Sequence, residues 1–261
     1  MILAVIASIF VFILGLVVGS FLNVVIYRLP RDLSVVKPRS CCPGCQTPIE
    51  WNQNIPVISY LILRGKCRKC SSPISWQYPV VELLTGFLFW ASWRGLGFDA
   101  FAIISQIRIW TFISICISIA FIDLEHRIIP DELSLGGWLF GALTCYWDFR
   151  NGMGNLIFSS LGGFGFFFLF AIVYEKITGR NGLGGGDIKF MGTIGIFLGF
   201  GGIWSSLILS SVIGVIVGVI YAWFQKKRKE NILRTAIPYG PFLVMGALAE
   251  LFFEFSKWLN L

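Results

Sequence analysis

Charge is what this chain has least of. Asp, Glu, Lys and Arg make up 13% of its 261 residues against 56% hydrophobic, and the mean hydropathy is +0.77. Soluble domains carry roughly 25% charged residues, so the composition excludes a water-soluble fold. Histidine is scarcer still, with His126 alone. A His-Glu-x-x-His metal site is therefore absent, and His126, read as an exposed loop residue, offers no Ser-His-Asp triad. The glycine-rich stretch at 182–186 ends in Asp187 rather than Gly-Lys-Ser/Thr, which excludes a phosphate-binding loop. No basic segment precedes the first apolar run and no small-residue cleavage pattern ends it, so that run is expected to stay as a helix. No internal repeat is visible, which counts against an inverted-repeat transporter.

What is present is apolar sequence. Runs long enough for a hydrocarbon core of about 30 Å fall near 2–26, 80–98, 101–122, 132–149, 155–175, 187–202, 203–224 and 239–259. They predict an all-α polytopic membrane protein with about eight transmembrane helices. The fourth and sixth runs are short and Gly-rich, so seven or nine spans also fit. The expected organisation is a first transmembrane helix (1–26), a polar module between the first two spans (27–79) and a transmembrane core (80–261).

Basic residues give an orientation. With the N-terminus outside, 17 Lys and Arg fall on cytosolic segments and 4 on the opposite side, as the positive-inside rule requires. Anionic lipid is the natural partner of this basicity. The run Lys226–Lys229 directly follows a span and reads as a stop-transfer anchor rather than a nucleic-acid patch.

The polar module contains Cys42-Pro-Gly-Cys45 and Cys67-Arg-Lys-Cys70, two knuckles separated by 21 residues. This spacing fits one structural zinc ion held by Cys42, Cys45, Cys67 and Cys70. Two disulfides are the alternative, but the expected cytosolic placement disfavours them. Four protein ligands leave no open position for water, so the site is read as structural. Cys41 stands beside the first knuckle and could substitute for Cys42, although the two-residue spacing favours Cys42; Cys116 and Cys145 lie inside apolar runs and are read as packing.

Acidic residues at the membrane edge carry the chemistry. Asp123 ends one apolar run, within Ile122-Asp-Leu-Glu-His-Arg-Ile-Ile-Pro-Asp131, and Asp187 opens another, after Gly184-Gly-Gly186. Carboxylates so near hydrocarbon are expensive and usually functional. Depth ranks Asp123 first and Asp131 second, because Asp131 follows Pro130 and looks like a helix-start acid. Glu125 and Glu132 are read as solvated. The glycines before Asp187 permit positive φ and close backbone approach to a ligand. Asp187 is expected at a helix start, where the dipole favours negative charge. One carboxylate would act as general base and its partner as general acid. A proton- or cation-coupled transporter and a zinc-dependent scaffold are the alternatives. The first leaves the cysteines unexplained and the second leaves the aspartates idle.

Together these features resemble the bacterial prepilin peptidases, aspartic proteases of the Gly-x-Gly-Asp class. The likeness runs through Gly19–Pro30, the two knuckles, Asn54–Tyr60, Arg64–Cys67, Tyr78–Glu82, Ile122–Asp131, Gly184–Lys189 and Pro238–Gly240-Pro241. It implies that Asp123 and Asp187 are the catalytic pair. It also implies a bacterial inner-membrane enzyme that cuts the basic leader from prepilins or pseudopilins at the cytosolic face. N-methylation of the new terminus with S-adenosylmethionine follows in many members, although no methyl-donor motif is evident. Gly184, Gly185, Gly186, Lys189, Glu125 and Asp131 are the expected substrate contacts. Asn23 and Glu82, polar positions near span ends, are read as interhelical hydrogen-bonding residues or interface anchors.

Overall fold

The computed structural model describes residues 2–93, 100–148, 152–179, 184–228 and 238–254. The ends of the expected spans 80–98, 132–149 and 239–259 lie outside them, as do Gly182, Arg94, Arg150, Arg180, Lys229, Arg234 and Lys257. The described residues are almost entirely helical: α1 (Ile2–Arg28), α2 (Ile58–Ile62), α3 (Gln77–Ser92), α4 (Ala100–His126), α5 (Asp131–Thr144), α6 (Met153–Thr178), α7 (Gly185–Arg228) and α8 (Gly240–Phe253). Four helical segments among them are long and apolar enough to cross a membrane: Ile2–Arg31, Ala102–His126, Met153–Thr178 and Gly185–Ile220. Every run expected to span is mostly helical where described.

The chain forms two compact units, Met1–Ser118 and Ile119–Leu261. In the first, α1 packs along α3 through small residues. A Cβ built on Gly15 would stand 2.7 Å from the Gly86 Cα, and one on Gly19 would stand 2.7 Å from the Glu82 Cα. This four-residue spacing of glycines lets two backbones touch, the usual device of helix association in lipid. The Asn23 amide, buried on α1, donates to the Tyr78 carbonyl at 3.1 Å, and Glu82 accepts the Val57 amide at 2.7 Å. Asn23 therefore joins α1 to α3 as expected, and Glu82 does so through the Ser20 side chain while also tying α3 to the polar module.

In the second unit α7 is the hub. The Thr193 hydroxyl donates to the Ser134 carbonyl of α5 at 2.7 Å, and the Ser160 hydroxyl of α6 donates to the Gly192 carbonyl at 2.8 Å. The Ser205 hydroxyl donates to Glu250 of α8 at 2.6 Å. Such bonds contribute about 0.6 kcal/mol each in membranes, and close packing adds to them. A Cβ on Gly195 would meet the Ser160 Cα at 2.7 Å, and one on Gly246 would meet the Ser206 Cα at 2.5 Å.

One helix boundary differs from expectation. The runs 187–202 and 203–224 were expected to divide after residue 202, but the break lies at Gly199, where φ is 73° and ψ is −164°. Only glycine tolerates that conformation. Gly199 thus interrupts the regular helix.

Replacing Gly195 by Ala forces a methyl group into backbone. It should cost about 1–3 kcal/mol, read as a lower thermal midpoint of the detergent-solubilised protein. Gly165→Ala, where nothing lies within 4 Å, should leave the midpoint unchanged or slightly raised.

Candidate functional site

Asp123 lies in the last turn of α4 and is 6% exposed. The helix ends three residues later at His126, and the next residue, Arg127, takes φ 58° while its amide bonds back to the Asp123 carbonyl at 2.9 Å. The carboxylate turns toward α8. Its Oδ2 accepts the Gly240 amide at 2.8 Å, across 117 residues of sequence. Gly240 is the first residue of α8, so Asp123 satisfies one of the amides that every helix start leaves open. Partial positive charge at that terminus offsets part of the burial cost. A side chain at 240 is excluded, since its Cβ would stand 2.8 Å from the same oxygen.

Asp187 occupies the first turn of α7 and is half-buried. It too sits at a helix N-terminus, with a hydrogen bond from the Gly184 backbone, and it interacts electrostatically with Asp123. Asp123 and Asp187 thus belong to one unit, each at a helix N-terminus. Asp187 also forms part of the wall of a cavity of about 250 Å³. Phe167, Ile188, Met191, Leu207 and Leu243 make the rest of that wall apolar, with Tyr239 at its edge. The Tyr239 hydroxyl is 2.6 Å from the Ser210 hydroxyl, which fixes the ring.

The other expected contacts fall as follows. Asp131 is in the first turn of α5, after Pro130, and pairs with Lys189 of α7 through both carboxylate oxygens at 2.7 and 2.8 Å. This half-exposed pair contributes at most about 1 kcal/mol; its main effect is to register the α5 start against α7. Glu125 is exposed and stands 3.7 Å from His126. Gly184, Gly185 and Gly186 are not in left-handed conformations, so close approach and not positive φ explains Gly184 and Gly186. Gly186 meets Ile129 of the α4–α5 connection, where a Cβ would stand 2.8 Å away, and a Cβ on Gly184 would stand 2.9 Å from the Asp187 carboxylate. Gly185 faces open space. Sequence reasoning missed Gly240, Tyr239 and the apolar wall. The Pro238–Pro241 motif ahead of an apolar run was the available signal.

In the first unit the four cysteine sulfurs of Cys42, Cys45, Cys67 and Cys70 lie within 4.8 Å of one another. Both knuckles use one backbone pattern. The Cys42 amide bonds the Thr47 carbonyl and the Gln46 amide returns to Cys42; Cys67, Ser72 and Ser71 repeat this. Gln46 and Ser71 accordingly share a left-handed φ. Cys42 and Cys70 sulfurs are 3.7 Å apart, close to the ~3.8 Å that tetrahedral bonds of about 2.3 Å dictate. The Ser72 hydroxyl serves both, at 3.5 and 3.1 Å. Together with the Cys45 and Gly44 amides it lowers the Cys42 thiol to about 6. The cluster is therefore able to hold a thiophilic metal ion. Cys41 instead points to Gln46 at 3.4 Å.

Comparison with known proteins agrees with both regions. The model of the bacterial peptidase A24 N-terminal domain matches residues 13–95, and that of the type IV leader peptidase family matches residues 110–219. Among curated proteins, a prepilin leader peptidase/N-methyltransferase of Legionella pneumophila is 35% identical over 91% of this chain and 88% of its own. One of Aeromonas hydrophila is 31% identical over 95% and 92%. One of Myxococcus xanthus is 38% identical over 82% of this chain, the match spanning 62% of that longer protein. No solved structure matches.

Metal analysis of the purified chain should find one thiophilic ion per molecule. Cys42→Ala or Cys67→Ala should lose it, and Cys41→Ala should retain it. Loss in the Cys41 variant alone would reassign the first knuckle.

Proposed function

The chain belongs to the type IV leader peptidase family, and from that premise we propose that Asp123 and Asp187 are the acid–base pair of a membrane-embedded aspartic endopeptidase. The observation that carries the reading is the seating of Asp123 on the Gly240 amide at the start of α8, with Asp187 at the start of α7 on the wall of an apolar cavity. Two neighbouring carboxylates share one proton, because both cannot easily ionise together. The ionised member takes a proton from a water, which attacks the scissile carbonyl. The protonated member passes its proton to the departing amine. The pair titrates as a unit, so neither role belongs to one aspartate alone.

The substrate is a prepilin or pseudopilin: a basic leader followed by a hydrophobic helix. Glu125, Asp131 and Glu132 supply negative charge around the site, while Gly184–Gly186 and Lys189 line the approach to Asp187. The Asp131–Lys189 pair narrows that list, since each already engages the other. The adjoining cavity takes an apolar side chain next to the cleaved bond. The site faces the cytosol of a bacterial inner membrane in an eight-span arrangement with the N-terminus outside. Residues 27–79 form the cytosolic module, the break at Gly199 separating two spans.

N-methylation of the new N-terminus is the second activity, in line with the relatives' names. The cavity beside Asp187 does not fit S-adenosylmethionine: it is apolar and below the roughly 300–1,000 Å³ typical of sites for molecules of that size. No step is assigned to a methyl donor there. Zinc fits the cysteine cluster, where Cys42, Cys45, Cys67 and Cys70 would hold it as a closed structural site that stabilises the small module.

With a prepilin as substrate, Asp123→Asn and Asp187→Asn should each reduce leader removal by at least about 10²–10⁴-fold, scored on a gel, with the protein still folded. Near-normal cleavage by either variant would reject the pair. Gly240→Ala should push the Asp123 carboxylate from its place and lower kcat roughly 10- to 100-fold, with a smaller change in KM.

A further inference from the structure

The polar module carries an exposed face that neither the cysteines nor the aspartates use. α2 is little more than one turn, and Ile58, Leu61 and Ile62 share one side of it at i, i+3 and i+4. They are 53%, 67% and 74% exposed. Ser59, on the other side, is buried and bonded to the Asn52 carbonyl and the Ile55 amide. Trp51, in the neighbouring turn, is 78% exposed. Large apolar side chains turned outward together mark an interaction surface.

The position of this face identifies its partner. The Val57 amide, just before α2, is held on Glu82 of α3. Glu82 in turn packs level with Gly19 of α1. α1 is long and apolar enough to cross a membrane, and its sequence meets no charge before Arg28. The start of α2 is therefore tethered beside the last third of a membrane-crossing helix, and from there the exposed apolar face and Trp51 can reach the zone where tryptophan and amphipathic surfaces settle among headgroups.

Charge selects the lipid. Residues 27–79 hold eight Lys and Arg against two Asp and Glu, and Arg64, Lys66, Arg68 and Lys69 follow α2 directly and are exposed. Such a surface repels a basic peptide or a second copy of itself and attracts anionic phosphate. We propose that Ile58, Leu61, Ile62 and Trp51 insert among the headgroups of an anionic leaflet, with Arg64 and Lys66 on lipid phosphates, holding the four-cysteine module on the bilayer surface. This rests on α1 crossing the membrane and is independent of the roles of Asp123 and Asp187.

The full-length protein with p-benzoylphenylalanine in place of Leu61 would be reconstituted in nanodiscs of phosphatidylcholine, with or without phosphatidylglycerol, and irradiated. Lipid adducts at position 61 should form severalfold more with phosphatidylglycerol, and Arg64→Gln with Lys66→Gln should remove that excess. Adducts to a second protein copy, or none to lipid, overturn the proposal, and equal yields in the two lipids overturn its anionic selectivity. Since the photoreactive side chain could disturb the turn, amide exchange of the unmodified chain gives a second reading. Residues 58–64 should exchange severalfold more slowly with phosphatidylglycerol; unchanged exchange contradicts the docking.

Discussion

A carboxylate buried at the edge of hydrocarbon has to be compensated, and in this protein helix N-termini do it. Asp123 closes the start of α8 by accepting the Gly240 amide, and Asp187 lies in the first turn of α7. Each aspartate therefore answers a need that a helix start creates, for a negative group against open amides. The arrangement explains why Gly240 carries no side chain and why glycine stands at position 184 before Asp187. In both places backbone must come within van der Waals distance of a carboxylate.

The rest of the second unit keeps those helix starts in register. α7 touches α5, α6 and α8 through serine and threonine hydroxyls and through glycines that let backbones meet. The Asp131–Lys189 pair and the Ile129–Gly186 contact set the α4–α5 connection against the start of α7. None of these contacts is strong alone. Together they fix the helix starts at which Asp123 and Asp187 sit. The first unit solves a different problem: a short polar module with little core of its own is tied by four cysteines and anchored to α3 through Glu82.

Much of this was legible in the sequence because membranes make sequence informative. A charge beside an apolar run is costly, so Asp123 and Asp187 stood out without any fold. The cysteine spacing likewise predicted the cluster, down to Cys42 rather than Cys41. What stayed hidden depends on tertiary contact. Gly199 and Gly195 look alike in sequence, yet one breaks a helix and the other packs against Ser160. Asp131 and Lys189 each read as possible substrate contacts, and nothing local says that they pair. The apolar wall of Phe167, Met191, Leu207 and Leu243 comes from three helices whose outward and inward faces have nearly the same composition.

The central claim is that Asp123 and Asp187 act as one proton-sharing pair. The pH dependence of kcat/KM for leader removal, measured in reconstituted membranes, tests it most directly. The pair predicts a bell-shaped profile with two apparent ionisations, one limb for loss of the required base and one for loss of the required acid. A profile with a single limb, measured where the protein stays folded at both extremes, would contradict it.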